Sequence, residues 1–285
     1  MRRSLLFIPA NSPAMLQNAD IFAADGIIFD LEDAVMLSEK DAALFLLEQF
    51  LKTFPIENFE VIVRINSLET PFSKNDIETI INDKIDTVML PKATYKDTLY
   101  LSKLLDKIEK QKKMTKNIGI VPIIENAQSV IEVGQIASVN RVNGLLLGGE
   151  DLATDLEIER TEIGLEILLS RSLVVLAAKA HQIDAIDTPF THTQDEKGLM
   201  KDSINAKSLG MTAKVCIHPN QIDIVNTVFV PTQQEIEHAK KILQALLLAE
   251  KEKKGAFSVD GKMIDKPIIE RAKKLLEKAE KWHLL

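Results

Sequence analysis

Short apolar runs alternate with longer segments of helical period along this chain. The runs cover residues 4–8, 26–29, 61–65, 87–90, 119–124, 144–147, 184–186 and 213–217. Most are continuously apolar rather than alternating, as expected of parallel strands covered on both faces. The run at 184–186 carries the weakest pattern. Between the runs lie helix-start signals. Ser12-Pro13 reads as an N-cap followed by proline at the first helical position. Ser38, Ser73 and Thr94 each precede a carboxylate by three residues (Asp41, Asp76, Asp97), a variant of the capping box. After Thr161, the residues Ile163, Ile167, Val174 and Ala178 predict a buried helical stripe, and Gly210 a helix C-terminus.

Strand–helix alternation predicts a parallel sheet. The run count is eight, and no G-x-G-x-x-G turn follows any run. We therefore expect a closed (β/α)8 TIM barrel over residues 1–230, in preference to an open doubly wound sheet. The pattern changes after 230. Pro231-Thr232 opens a charged helix to about residue 254, a loop or hairpin follows near 255–262, and a last helix runs from about 266 to 282. Residues 231–285 read as a C-terminal helical extension or lid.

Composition narrows the function. Lys plus Arg number 35 against 42 Asp plus Glu, a net charge of −7. The basic residues are scattered, so no nucleic acid partner is expected. A lone Cys216 excludes a disulfide framework and cysteine-rich metal sites, and fits a reducing, cytoplasmic setting. The apolar run after Arg2-Arg3 stops at Pro9, too short for a typical signal peptide, and no run approaches the ~20 residues of a membrane span. No membrane association is expected.

In such a barrel the chemistry sits at the C-terminal strand ends. Here those ends carry Asp30-Leu31-Glu32-Asp33, Arg64-Ile65-Asn66, Pro91-Lys92, Glu125-Asn126, Gly148-Gly149-Glu150-Asp151, Asp187 and His218-Pro219. A ring of carboxylates with one arginine and one lysine points to a hard cation such as Mg²⁺, which keeps several waters and needs few protein oxygens. The histidines show no zinc spacing. Arg64 could grip a substrate carboxylate bidentately. Each residue also has a plainer reading. Asp33 and Asp151 could cap helices, Arg64 and Lys92 could pair with barrel carboxylates, His218 could organise its loop, and Cys216 could be core packing.

Eight stretches, in order along nearly the whole chain, resemble the HpcH/HpaI aldolase and citrate lyase family. They are Arg2-Arg3-Ser4-Leu5-Leu6-Phe7-Ile8-Pro9-Ala10, Phe29-Asp30-Leu31-Glu32-Asp33-Ala34-Val35, Val63-Arg64-Ile65-Asn66, Leu90-Pro91-Lys92, Pro122-Ile123-Ile124-Glu125, Leu147-Gly148-Gly149-Glu150-Asp151-Leu152, Cys216-Ile217-His218-Pro219 and Asp260-Gly261-Lys262-Met263-Ile264-Asp265. The start of the chain and Glu159-Arg160-Thr161-Glu162 are nearest the beta-subunit branch of citrate lyase, whereas Asn11-Ser12-Pro13 and Gly149 differ from its commonest forms.

The resemblance implies a Mg²⁺-dependent carbon–carbon lyase on a TIM barrel, in trimers or larger assemblies. It implies Glu125 and Asp151 as metal ligands, Arg64 and Lys92 as substrate contacts, and Asp30, Glu32 and Asp33 in support around metal-bound waters. Asp265 becomes a catalytic acid or base on the lid, where the residues alone suggest a helix cap. The implied reaction splits a citryl thioester, on an acyl carrier or coenzyme A, into oxaloacetate and an acetyl thioester, with citrate lyase alpha and gamma subunits as partners. The alternatives are a stand-alone citramalyl-CoA or malyl-CoA lyase, an aldolase on free hydroxy acids, and a non-catalytic scaffold subunit.

Overall fold

The computed structural model describes residues 2–251 and 257–285. Contacts divide these into one unit up to Asn226 and a second from Thr227 onward. The first unit is a closed parallel barrel of β1 (Ser4–Pro9), β2 (Gly26–Asp30), β3 (Glu60–Arg64), β4 (Thr87–Leu90), β5 (Gly119–Ile124), β6 (Gly144–Leu147), β7 (Asp184–Asp187) and β8 (Ala213–Cys216), each paired with its sequence neighbours and β8 with β1. The eight apolar runs are these strands, to within a residue at most ends. Its helices are α1 (Pro13–Gln17), α2 (Lys40–Thr53), α3 (Ser73–Ile80), α4 (Tyr95–Lys112), α5 (Ala127–Ala137), α6 (Gly149–Asp155), α7 (Leu168–Ala180), α8 (Glu196–Leu209) and α9 (Ile222–Phe229), the last running past Asn226. No helix among the described residues is long and apolar enough to cross a membrane.

Side chains alternate across each strand. Leu5, Ile28, Ile62, Met89, Val121, Ile123, Leu146, Ile186, Ala213 and Val215 fill the barrel interior as one cluster. Their neighbours Leu6, Ile27, Val63, Val88, Ile120 and Leu145 are equally buried, on the face that the helices cover. Two buried faces explain why the strands read as continuous apolar runs.

At the N-terminal end the interior is closed by a polar plug. The Arg2 guanidinium donates to both oxygens of Glu60 (2.6 and 2.7 Å), to Asp184 (3.2 Å) and to Asn143. Thr87 also donates to Glu60. A Cβ on Gly144 would stand 3.0 Å from Arg2 Nη1, so glycine there makes room for the plug.

Local expectations fare unevenly. Thr94 caps α4 through Asp97 N–H, and Gly210 ends α8 at φ 107°. Ser12 precedes α1 as expected but makes no side-chain cap. Ser38 is not a cap: it lies in a 3₁₀ turn, and α2 begins at Lys40, whose ammonium instead donates to the carbonyls of Leu31 and Glu32 (2.7 and 2.6 Å). Nor is Ser73, the first residue of α3; Asp76 instead accepts from Asn66 N–H and Nδ2 (2.9 and 2.8 Å). Ile163 is 68% exposed and outside any helix, because Gly164 at φ 70° breaks the chain before α7. Ile167, Val174 and Ala178 form the buried stripe without it.

The second unit holds α10 (Gln233–Lys251), the antiparallel pair β9 (Phe257–Val259) and β10 (Lys262–Ile264), and α11 (Lys266–Lys281). Ala239, Ile242, Val259, Ile264 and Ala272 make its core. The expected helix end and the start of the expected turn, residues 252–256, lie outside the described residues.

Candidate active site

Alternation decides which side chains crown the barrel. Two residues beyond the inward-facing Leu5, Ile28, Ile62, Ile123 and Ile186 come Phe7, Asp30, Arg64, Glu125 and Thr188. They form the layer above the apolar interior, at the strand ends where barrel enzymes work. Phe7, Arg64, Glu125, Gly148, Gly149, Glu150, Asp151 and Thr188 line one cavity there, of about 80 Å³. At ~30 Å³ per water, this holds a cation with a couple of waters.

Asp30 organises the mouth. It is 1% exposed. Its carboxylate accepts from the backbone N–H of Glu32 (2.8 Å) and Ala34 (3.0 Å). It also accepts from Arg64 Nε (2.7 Å) and Nη2 (2.6 Å) in a two-pronged pair. With Lys40 holding the carbonyls of Leu31 and Glu32, both peptide groups of this turn are tied down. Arg64 Nη1 meets Glu32 at 2.9 Å and Asp33 at 3.4 Å, and the guanidinium lies 4.9 Å from the Phe7 ring centre. The arginine is thus aimed and engaged at once. Nη1, the one guanidinium nitrogen that Asp30 does not hold, is the position where one carboxylate could be exchanged for another.

Neither Asp33 nor Asp151 caps a helix through its side chain. Asp33 reaches Arg64, and Asp151 is the third residue of α6, behind an N-cap at Gly148. Glu125 is 5% exposed and accepts a short hydrogen bond from Lys92 N–H. The Lys92 backbone is left-handed at φ 49°, which turns that N–H inward, while its side chain is exposed. Lys92 therefore touches the site through its backbone. Its ammonium acts on Asp151 only as a nearby charge.

Electrostatics set the site apart. Burial pushes the Glu125 carboxyl up to about 7, with the negative Asp151 and Asp33 adding to it and the Lys92 N–H and Arg64 opposing. Burial likewise pushes Glu32 up to about 8, against the pull of Arg64. Asp151, at the rim, is also raised, by desolvation and then by Asp33. A pocket that strains its own carboxylates toward neutrality is short of positive charge, which is a signature of functional sites. Among the described residues there is no group of three or more His, Cys, Asp or Glu able to hold a metal. Glu125 and Asp151 are a two-carboxylate donor set of hard oxygens. That fits Mg²⁺, which keeps much of its water shell, and not zinc or calcium, which need more protein ligands.

The other residues singled out in the sequence fall elsewhere. His218 organises its loop, its Nδ1 accepting from Asn220 N–H at 3.3 Å, and Cys216 is fully buried in β8. Asp187 faces outward into a buried charge network with Arg171, Asp202 and Lys214. In its own unit Asp265 is the N-cap of α11, accepting from Ile268 N–H at 3.2 Å. Sequence reasoning missed Phe7, Lys40, Asp76 and Thr188. Strand parity from Leu5 and Ile186 could have found Phe7 and Thr188. Nothing local marks Lys40, and the spacing that singles out Asp76 points to a helix start rather than to Asn66.

Comparison with known proteins agrees with this architecture. The chain is 38% identical over 290 residues to the citrate lyase subunit beta of Leuconostoc mesenteroides subsp. cremoris, covering 100% of this chain and 95% of that one. It is 34% identical to a (3S)-malyl-CoA thioesterase of Cereibacter sphaeroides, covering 98% and 94%. Its fold matches the crystal structure of protein CitE from Mycobacterium tuberculosis with magnesium, acetoacetate and coenzyme A (TM-score 0.79, 28% identity, 98% of both chains). It also matches a citrate lyase beta subunit from M. tuberculosis with oxaloacetate and magnesium (TM-score 0.69, 29% identity, 81% of this chain and 97% of that one). The model of the HpcH/HpaI aldolase/citrate lyase family matches residues 3–219. With the barrel and its acidic mouth, this match establishes that the chain belongs to the HpcH/HpaI aldolase/citrate lyase family.

Proposed function

We propose that this chain cleaves a citryl thioester, carried on an acyl carrier subunit or coenzyme A, to oxaloacetate and an acetyl thioester. Relatives named for citrate lyase, and structural neighbours holding magnesium and oxaloacetate, support a magnesium-using carbon–carbon lyase. Arg64, Glu125 and Asp151 lining a single cavity at the barrel mouth support a cation beside an anionic substrate, and the higher identity to a citrate lyase subunit beta (38%) than to a malyl-CoA thioesterase (34%) favours the citryl substrate.

Glu125 and Asp151 hold Mg²⁺ in this reading. Bound there, the cation supplies Lewis acidity to an α-hydroxy carboxylate and lowers the pKa of its hydroxyl. The chain's own residues do the rest. The hydroxyl gives its proton to solvent water at the open mouth, its C–O bond becomes the ketone of oxaloacetate, and the Cα–Cβ pair of electrons passes to the thioester as an enolate. Arg64, held by Asp30, offsets charge developing on oxygen. Glu32 and Asp33 order water around the ligand carboxylates, and Lys92 adds a positive rim. Asp265 protonates the enolate carbon. The alpha and gamma subunits of citrate lyase, and a homotrimer or larger assembly, are the partners this reading carries. Its setting is a reducing cytoplasm, which suits the buried thiol of Cys216.

The test is cleavage of citryl-CoA with and without EDTA, with oxaloacetate read through malate dehydrogenase and loss of NADH. Magnesium-dependent oxaloacetate release supports the reading. The malyl-CoA thioesterase relative favours a second reading, a lyase or hydrolase of smaller acyl-CoA substrates. Citramalyl-CoA is therefore run in parallel, with pyruvate read by lactate dehydrogenase. Pyruvate without oxaloacetate replaces the substrate while leaving the site intact.

For Asp265→Asn we expect kcat to fall ~10²-fold or more, as for loss of a general acid, with Mg²⁺ affinity unchanged. Asparagine also caps helices well, so α11 is preserved. Full activity in this variant returns Asp265 to a capping role alone.

A further inference from the structure

Behind the mouth lies a buried charge cluster that the proposed reaction does not use. Lys214 on β8 is 0% exposed, and its ammonium meets Asp187 and Asp202 at 2.6 Å each. Arg171 on α7 pairs with the same two carboxylates, at 2.9 and 2.8 Å. The four charges cancel. The third bond of the Lys214 ammonium leaves the cluster: it donates to the carbonyl of Thr188 at 2.7 Å.

Thr188 is the residue after β7, is 0% exposed and sits in the wall of the mouth cavity. Its Oγ1 accepts from the backbone N–H of Gly149 at 2.9 Å. Gly149 opens α6, and Asp151 is two residues on. The approach is close enough that a side chain at 149 would push the turn away from Thr188 as both now stand. A Cβ at 149 would lie 2.8 Å from Thr188 Oγ1 and 3.2 Å from its Cβ. The turn that carries Asp151 is thus held on one side by the bond from Gly148 N–H to the Ile124 carbonyl (3.0 Å) and on the other by the Thr188 hydroxyl, whose residue is anchored by a buried lysine.

We propose that Thr188 is a positioning residue for the metal site: anchored by Lys214, it holds the Gly149 turn and so sets where Asp151 presents its carboxylate. The proposal rests on Asp151 being a metal ligand. A buried N–H that loses its acceptor forces the local backbone to move toward another one. Support one step removed from a ligand typically matters ~10–100-fold in metal affinity.

The experiment is Mg²⁺ titration of the metal-free protein by calorimetry, for wild type, Thr188→Val and Thr188→Ser, below the melting temperature of each. Valine keeps the volume and removes the acceptor; serine keeps the acceptor and removes the methyl. We expect valine to weaken Mg²⁺ binding ~10–100-fold and serine to stay within about threefold of wild type. Should valine not fold, Gly149→Ala displaces the same turn by pressing its new Cβ against Thr188 Oγ1 while keeping the hydroxyl, and the same loss is expected. Wild-type affinity in the valine variant, or in Gly149→Ala where that replaces it, overturns the proposal. So does equal weakening by valine and serine, which would make the methyl the important group. No Mg²⁺ uptake by wild type removes the metal assignment itself, and with it this role for Thr188.

Discussion

Glu125→Gln and Asp151→Asn should each lower magnesium-dependent cleavage by about 10²–10³-fold, the several kcal/mol that a catalytic cation contributes. The fold should survive. Glu125 is nearly buried and its carboxyl is pushed up to about 7. Its folded-state pKa therefore lies above the ordinary value of 4.5. A group raised in this way stabilises the fold below its ordinary pKa, and the contribution is lost as pH rises through about 7. Glutamine carries no charge to desolvate, so Glu125→Gln should melt as high as wild type at pH 8 in EDTA, or higher. Magnesium should raise the melting point of wild type and not of the variant. Protons compete with the cation for Glu125, so wild-type Mg²⁺ affinity should weaken by up to ~10-fold per pH unit below about 7. Wild-type turnover in either variant, with metal still bound, sinks the ligand assignment.

Lys214→Met should cost about 3–5 kcal/mol of stability, the usual result of removing one partner from a buried charge pair. For a unit of this size that is a fall of roughly 6–20 °C in melting temperature. The magnitude follows from burial: Lys214 and Asp187 are both 0% exposed, so water does not take the place of the lost ammonium beside Asp187. Without the ammonium, Asp187 and Asp202 share Arg171 alone, and the Thr188 carbonyl loses its donor. Replacing all four charged residues by apolar ones should cost much less than the single change, because no charge is then left unpaired. A single-variant loss below about 1 kcal/mol would show that water enters the cluster.

The two predictions differ in how far the sequence anticipates them. Glu125 stands out as a carboxylate directly behind an apolar run, where an acidic residue is costly unless it is used, whereas Asp151 reads equally as a helix cap and is marked out by the family resemblance. Lys214 gives no such signal, since a lone lysine within Ala213–Cys216 reads like an edge or a surface position. Only the packing of α7 and α8 over β7 and β8 brings Arg171 and Asp202 to it.

The capping expectations divide on similar grounds. Thr94 and Asp97 bond to one another across a single turn, so their spacing suffices. Ser38 and Ser73 have the same spacing, but longer-range bonds from Lys40 and to Asp76 decide where those helices begin. Arg64 shows the same limit. Its position at a strand end is plain in the sequence, but its engagement with Asp30, Glu32 and Asp33 is not.

The eight strands, their order and the polar character of their C-terminal ends follow from the linear chain alone. Those properties depend on alternation and burial within a few consecutive residues, which are local. Folding in three dimensions was needed to choose which of those ends share a cavity, to plug the opposite end with Arg2, and to bring Thr188 against Gly149. The Arg2–Glu60 and Thr188–Gly149 contacts join residues 58 and 39 positions apart, and they depend on barrel closure and strand register, which no local pattern encodes.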